Sequence, residues 1–439
     1  MTYENGALLT VITISSDHSF CKKKSLIVDL FIFSSRRHWL KVVDLTGFRD
    51  DGPTQDTEAM GPWSRTVMLS RACTDVYRQI GNEAKSSLKR RREMLNMERT
   101  AASTLDEIAV DVHADLFVNS SSSDILRDAL EASSGCSIRL KCRDFRAEEL
   151  SIKGTVRLLE LLDPLFLRKI DLRYNNLGLI GLTSLLLHMV RFTTLVSLKL
   201  PYSNIDVRRL TTNMEATIQS FAARLSQLSK LKELNLASSR LSGRLGQLLS
   251  GLQSSLESLE LSYCYLLPTD VCYLTQSPHA SSLKKLDLSG NNLSEHLFSP
   301  FQKLLFEISR SLVHLDIMEC RLTDSHIQSL LPGLRQCLHL RYLGFFCNPL
   351  STAGLKVLLQ NLVTLLDLKL IIYPLPVDCY EENLPWPPSS TNLLEGSINQ
   401  EKMAVANAAL QEILHKAQRT DILLTTDIYT PPPIDFFDL

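Results

Sequence analysis

Residues Leu283–Leu293 read LKKLDLSGNNL, and this stretch decides the fold. Its leucines, together with Asn291, fit the template L-x-x-L-x-L-x-x-N/C-x-L. Apolar residues at alternating positions predict a short strand with one buried face. Asn291 follows where the chain turns inward, so its side chain is expected to bond backbone groups that would otherwise be buried without partners.

The template recurs in register between residues 167 and 375. The eight units begin at residues 167, 195, 231, 256, 283, 312, 340 and 365. The second half of a unit, for example Phe301–Ile308 or Leu355–Leu362, has leucines at three- and four-residue spacing, which predicts a helix. Leucine usage follows the same array, because 59 of the 82 leucines lie in residues 151–375.

A strand and a helix in every unit predict an α/β fold of the leucine-rich-repeat type. We expect a solenoid (horseshoe) of about eight repeats, with parallel strands on the concave face and helices on the convex face. Caps are expected at both ends, because an exposed hydrophobic end would make a solenoid insoluble. The predicted segments are an atypical N-terminal segment with a charged helix (1–99), an N-terminal cap (100–150), the repeats (151–375), a C-terminal cap (376–430) and a tail (431–439).

The composition argues against several functional classes. A net charge of −1 supplies no global field for nucleic acid or an anionic membrane, and no run approaches the ~20 apolar residues that span a bilayer. The ten cysteines include no CxxC pair, and the first twenty residues do not resemble a secretion signal. We therefore expect reduced thiols and a cytoplasmic location. Lys89–Arg92 (KRRR) reads as a solvated helix face or as a nuclear-localisation patch, so the nucleus stays open as a second location.

The asparagine or cysteine of each unit is predicted to form a structural ladder of hydrogen bonds between neighbouring units. The predicted ladder residues are Asn175, Cys264, Asn291, Cys320 and Asn348. Asparagine is the better donor, whereas a thiol donates weakly and packs as a small hydrophobe. A reactive or metal-binding role for the two cysteines is the alternative.

The residues between the buried leucines are predicted to line the concave face. One column carries four acids against one lysine, and the next columns add tyrosines, a methionine and a phenylalanine. Such a surface suits a basic, partly helical protein partner, since aromatic residues and methionine are enriched at interface centres. The predicted partner-binding residues are Tyr202, Glu260, Tyr263, Asp287, Asp316, Met318, Glu319 and Phe346. The convex helices and the caps are the alternative surfaces.

The sequence favours a non-enzyme. It contains no P-loop, GxGxxG, HExxH or GxSxG motif, and its ten histidines are scattered. No catalytic, cofactor-binding or metal-binding residue is assigned. The expected partner is another protein rather than nucleic acid or a membrane, and the chain is expected to be a monomer.

Long stretches of the chain resemble the PRAME-type leucine-rich-repeat family, among them Leu241–Leu266, Leu274–Leu293 and Leu330–Leu362. Two further stretches, Arg36–Gly52 (RRHWLKVVDLTGFRDDG) and Tyr373–Pro387 (YPLPVDCYEENLPWP), are similar to one branch of that family. The resemblance implies a non-enzymatic intracellular protein. Several family members act as substrate receptors of cullin-2 RING ubiquitin ligases. The branch is associated with dampening Toll-like-receptor and NF-κB signalling by binding an IκB kinase subunit in the cytoplasm.

The chain departs from the family before Val42. The family has a longer helical segment there, which holds the box that docks elongin and cullin, whereas about 40 residues precede this point in the chain and Met1–Phe20 (MTYENGALLTVITISSDHSF) does not resemble that segment. We expect an atypical or truncated N-terminal segment, and no residue is assigned to the docking box. The resemblance therefore implies a signalling scaffold, with a ubiquitin-ligase substrate receptor as the alternative.

Overall fold

The computed structural model describes the chain in two compact units. The first runs to Asn175 and includes Leu187–Leu195, and the second comprises Asn176–Leu186 and the chain from Val196 onward. The described residues are 10–13, 40–47, 65–78, 110–133, 138–208, 212–382 and 384–429. The predicted charged helix before residue 100 and the predicted tail after residue 430 lie outside these residues.

The first unit pairs its strands in chain order. Each strand lies beside the next one along the sequence, and these pairings are parallel. The strands are β1 (Thr10–Thr13), β2 (Leu40–Leu45), β3 (Val110–Val118), β4 (Ile138–Ala147) and β5 (Lys169–Asp171). The helices span residues 65–78, Ser123–Ser133 and Ile152–Leu161. Burial alternates along β3, as expected of a strand with one face in the core.

The second unit repeats the same arrangement with shorter strands. They are β6 (Ser197–Lys199), β7 (Glu233–Asn235), β8 (Ser258–Glu260), β9 (Lys285–Asp287), β10 (His314–Asp316), β11 (Tyr342–Gly344), β12 (Leu370–Ile372) and β13 (Leu423–Thr425), all parallel. The helices are Thr212–Leu225, Leu245–Leu249, Pro268–Gln276, Phe298–Ile308, Asp324–Leu334, Thr352–Leu362, Ser390–Glu395 and Gln400–Lys416. Short 3₁₀ turns lie at Ala280–Ser282 and Val377–Cys379, and helix Gly178–Met189 contributes residues to both units. The predicted α/β class and the alternation of parallel strands with helices are confirmed.

The template leucines of the second unit form its core. The central residue of each strand lies opposite the central residue of the next, and each is inaccessible to solvent. These aligned residues are Leu198, Leu234, Leu259, Leu286, Leu315 and Leu343. Full burial of a leucine contributes roughly 1.5–3 kcal/mol, so the row is a large share of the stabilising free energy. Within the described residues, no helix is both long and apolar enough to cross a membrane.

The predicted start of the eighth unit at Leu365 is wrong by three residues. Leu343 lies opposite Ile371, so the unit begins at Leu368, 28 residues after Leu340. The sequence misleads at this point because several leucines crowd the stretch and more than one register matches the template. Tyr373 takes the third apolar position, is buried, and donates its backbone N–H to the Thr425 carbonyl at 2.9 Å.

Candidate functional site: the sheet face of the second unit

The first and third residues of strands β6 to β11 form one surface of the second unit, which we call the sheet face. Side chains alternate along a strand, so these residues lie on the side opposite the buried central leucines. The first positions are Ser197, Glu233, Ser258, Lys285, His314 and Tyr342, and the third positions are Lys199, Asn235, Glu260, Asp287, Asp316 and Gly344. The predicted partner-binding residues include third positions but no first positions, although the same alternation identifies both sets.

Two lysines neutralise two of the acids on the sheet face. Lys199 Nζ lies 2.8 Å from Glu233 Oε1, and Lys285 Nζ lies 2.9 Å from Glu260 Oε1. Asn235 Nδ2 donates to the second Glu260 oxygen. Burial lowers the pKa of Lys285, but the carboxylates of Glu260, Glu233 and Asp316 together outweigh that effect and raise the pKa overall. Both acids in this part of the face therefore belong to ion pairs between neighbouring strands.

Asp316 is held by two aromatic neighbours. The Tyr342 hydroxyl donates to Asp316 Oδ1 at 3.0 Å, and His314 Nε2 lies 2.8 Å from Oδ2. The His314 and Tyr342 rings are stacked, with centroids 3.8 Å apart. A Cβ at Gly344 would lie 2.0 Å from Asp316 Oδ1, so the absence of a side chain there makes room for the carboxylate.

Asp287 differs from the other acids of the sheet face. Burial and the nearby Asp316 carboxylate raise the pKa of Asp287 to about 7, against the opposing hydrogen bond from the Ser289 backbone N–H at 2.8 Å. Its charge is therefore partly lost near neutral pH. Of the predicted acids, Glu260 is thus paired with Lys285 and Asp287 is partly protonated, whereas Asp316 is bonded by the Tyr342 hydroxyl and His314.

The turn after each strand places tyrosines at the edge of the sheet face. Tyr202 and Tyr263 have left-handed backbone conformations, with φ of 58° and 55°, and are 52% and 41% exposed. The Tyr263 ring covers Gly290, where a Cβ would lie 2.2 Å from the ring, and its hydroxyl hydrogen-bonds Glu319. Burial and Glu319 raise the pKa of Tyr263. Tyr202 and Tyr263, which we call the tyrosine edge, present aromatic surface in fixed positions.

Met318 and Phe346 are less available than the tyrosines. Both are partly buried and pack against a core cluster formed by Tyr342, Leu370 and Ile372. Their apolar surface is therefore largely used inside the fold. Of the predicted partner-binding residues, Tyr202 and Tyr263 present the most open surface.

The ladder residues contact main-chain groups of neighbouring repeats. Asn348 Nδ2 donates to the Ile317 and Phe345 carbonyls at 2.9 and 2.8 Å, and its Oδ1 accepts from the Cys320 and Leu322 N–H groups. The other asparagines make the equivalent bonds: Asn175 donates to Ala147 and Leu172, and Asn291 to Leu261 and Leu288.

The two ladder cysteines are buried and donate weakly. Cys264 Sγ lies 3.2 Å from the Leu236 carbonyl, and Cys320 Sγ lies 3.4 Å from the Leu288 carbonyl. Burial raises the pKa of the Cys264 thiol to about 12 and that of Cys320 well above its ordinary value, so both are protonated and poorly nucleophilic near neutral pH. Across the part of the chain that the structure describes, no three His, Cys, Asp or Glu residues are grouped to hold a metal ion.

Comparisons with known proteins identify the family of the chain. Residues 131–434, more than half of the chain, match the family described as the PRAME C-terminal domain. The chain is 53% identical over 403 residues to Leucine-rich repeat-containing protein 14 of Xenopus laevis, an alignment that covers 92% of this chain and 78% of that protein. The Homo sapiens protein of the same name is 46% identical over 404 residues, with the same coverage. PRAME family member 20 of Homo sapiens is 36% identical over 185 residues, 42% of this chain and 39% of that protein. The predicted resemblance is confirmed: the chain belongs to the PRAME family of leucine-rich-repeat proteins, in the branch that contains Leucine-rich repeat-containing protein 14.

Proposed function

We propose that the chain is a non-catalytic scaffold that captures a protein partner at the tyrosine edge of the sheet face. The observation that carries this proposal is the exposure of Tyr202 and Tyr263 on turns held by main-chain hydrogen bonds to the next repeat. The Tyr202 N–H donates to the Ala237 carbonyl at 3.1 Å, and the Tyr263 N–H donates to the Ser289 carbonyl at 2.8 Å. A tyrosine held in one position offers a large contact area at a small cost in conformational entropy, and tyrosine is enriched among residues that dominate binding energy. The neighbouring sheet face supplies a polar rim in which two carboxylates are paired with lysines.

The bonding of the sheet face supports a non-catalytic role. A general base must be free to take a proton from a nucleophile within hydrogen-bond reach. Among the described residues, the His314 ring bonds Asp316 and stacks on Tyr342 but bonds no serine, threonine or cysteine, while Lys199 and Lys285 are paired with carboxylates. These groups stabilise the surface rather than leaving a reactive pair open to solvent.

The partner that family membership favours is an IκB kinase subunit, bound in the cytoplasm, so that the chain restrains Toll-like-receptor and NF-κB signalling. Its support is the resemblance to the branch, together with identity over nearly the whole chain. The alternative is a substrate receptor of a cullin-2 RING ubiquitin ligase, which the wider PRAME family favours. On that alternative, the client would occupy the same sheet face.

Co-purification of the tagged full chain from cells with defined candidates separates these functions. We expect capture of an IκB kinase subunit and a lowered NF-κB reporter response when the chain is expressed. Robust co-purification of elongin and cullin-2 without the kinase subunit would overturn the signalling proposal in favour of the receptor. Capture of neither, by a chain shown to be folded by circular dichroism, would contradict both.

A further inference from the structure

We propose that Asp206, Arg208, Arg240 and Tyr265, together called the arginine clamp, bind an acidic side chain of the protein partner. This inference rests on the proposed scaffold function and names the chemistry of the segment that the edge recognises. None of the four residues is among the predicted partner-binding or ladder residues.

One carboxylate holds both guanidinium groups of the arginine clamp. Arg208 donates Nε and Nη2 to the two Asp206 oxygens at 3.1 and 2.9 Å, which is a bidentate pair. Arg240 Nη1 donates to Asp206 Oδ2 at 3.3 Å. Arg208 also lies over the Tyr265 ring, 5.8 Å from its centroid. The two cations are thus fixed close together before any partner arrives.

The clamp keeps an excess of positive charge and open donors. Two arginines face one aspartate, and the hydrogen bond from Arg208 lowers the pKa of Asp206 to about 2, so the aspartate stays ionised. The Arg208 and Arg240 side chains remain 40% and 46% exposed. Their other N–H groups bond no described residue, so the N–H groups that Asp206 does not occupy can donate to a second carboxylate.

The clamp lies beside the tyrosine edge. Tyr265 follows Tyr263 by two residues and is 60% exposed, and the Ser242 hydroxyl fixes its backbone by donating to the Tyr265 carbonyl at 3.2 Å. Asp206 and Arg240 also form a parallel backbone bridge, which fixes the spacing of their turns. A peptide that crosses Tyr263 can therefore place an adjacent acidic residue on the two arginines.

Charge complementarity selects the occupant. The lysines of the sheet face pair with two of its four carboxylates, whereas the clamp has one cation more than it has carboxylates. A lysine or arginine from a partner would meet like charge there, and like charges brought together at an interface disfavour binding. A carboxylate is the group that a guanidinium fork recognises in two-point contact. The occupant of the clamp is therefore an acidic segment of a protein.

The test uses fluorescence anisotropy with short labelled probes of glutamate and leucine, and with counterparts that carry glutamine or lysine in place of glutamate. We expect the full chain to bind the glutamate peptide best, with affinity that falls as salt is raised. Arg208→Ala with Arg240→Ala should weaken binding by about tenfold or more. Arg310→Ala with Arg335→Ala, which removes two exposed arginines and the same charge, should leave it unchanged.

Three results would overturn the clamp: equal binding of the glutamate and glutamine peptides, preference for the lysine peptide, or equal losses in the two double variants. If a single-stranded DNA oligonucleotide of matched charge bound more tightly than the glutamate peptide, the site would be a nucleic-acid site and the proposal would be wrong. The scaffold proposal is tested by a different result: it is wrong if the wild-type chain captures no partner in the co-purification experiment. If the glutamate peptide binds but the wild-type chain captures no partner, the clamp proposal is supported and the proposed partner is wrong.

Discussion

At the residue scale, the structure separates residues that hold the repeats together from residues that are open to a partner. The template identifies the ladder asparagines because burying a main-chain carbonyl or N–H without a partner costs about 1–3 kcal/mol, and few side chains can both donate and accept. Ion pairing is not visible in the same way. Nothing in the spacing of Glu233 and Lys199 reveals that they meet, because the meeting depends on the register of two strands 36 residues apart.

Asp287 is expected to make stability depend on pH. Its pKa of about 7 in the folded chain exceeds the ordinary 3.8, so the folded chain binds more protons than the unfolded chain between those values. The free energy of unfolding therefore falls as pH rises through that window. Asp287→Asn should raise the free energy of unfolding by roughly 1–2 kcal/mol near pH 8 and leave it unchanged near pH 3. Chemical denaturation at both pH values measures this.

The matched control for Asp287→Asn is Asp367→Asn, at a more exposed carboxylate beside His339. Its effect should stay within about 0.5 kcal/mol at either pH. A loss of stability at pH 8 in Asp287→Asn would contradict the expected sign, because it would mean that the fold stabilises the Asp287 carboxylate as the anion.

At the scale of helices and strands, acidic side chains connect the helix starts of successive repeats. Asp270, in the first turn of helix Pro268–Gln276, accepts from the backbone N–H groups of Gly243 and Leu245 in the preceding repeat at 2.7 and 2.9 Å. It also accepts from the Leu267 N–H at its own helix start, at 2.8 Å. The first N–H groups of a helix have no partner within the helix, so one carboxylate satisfies donors of two repeats.

Asp270→Ala is expected to lower the free energy of unfolding by about 3 kcal/mol, because three N–H groups lose a charged acceptor in a buried place. Asp378→Ala is the matched control: Asp378 accepts from the Thr352 N–H but is exposed, so water can replace it at a cost of about 1 kcal/mol or less. Thermal and urea unfolding measure both. Equal losses of stability in the two variants would show that the Asp270 carboxylate, although shared between two repeats and buried, stabilises the fold no more than the exposed Asp378 carboxylate does.

The strand register of the repeats could be predicted from the sequence, except at the last unit, whereas helices such as Phe298–Ile308 begin three residues before the leucine pattern does. Strand positions such as Leu286 and Leu315 follow from the template because a shift by one residue would expose every buried leucine. The register fails near Leu365 because neighbouring leucines offer two fits of similar quality. The arginine clamp could not be foreseen, since its members come from two turns 34 residues apart and carry no motif.

At the scale of the whole molecule, each unit is a run of parallel strands and helices, and the second combines a polar face that contains two lysine–carboxylate pairs with exposed aromatic residues. Because the fold alone is compatible with many partners, we propose that this surface determines which partner is bound. Tyr202 and Tyr263 are exposed, as a partner-binding role requires, while Glu260 is paired with Lys285 and Asp287 is partly protonated near neutral pH. The sequence favours a basic partner, whereas the arginine clamp leads us to propose an acidic one.

The most direct test of the scaffold claim is the affinity of the purified full chain for the captured IκB kinase subunit, measured by titration calorimetry for matched variants. Tyr202→Ala with Tyr263→Ala should weaken binding by about tenfold or more while leaving thermal stability nearly unchanged. The control, Leu338→Ala with Leu366→Ala, removes two exposed apolar side chains that precede strands β11 and β12 and should bind as the wild type does. Wild-type affinity in the tyrosine variant, or an equal loss in the leucine variant, would contradict the assignment of partner capture to the tyrosine edge.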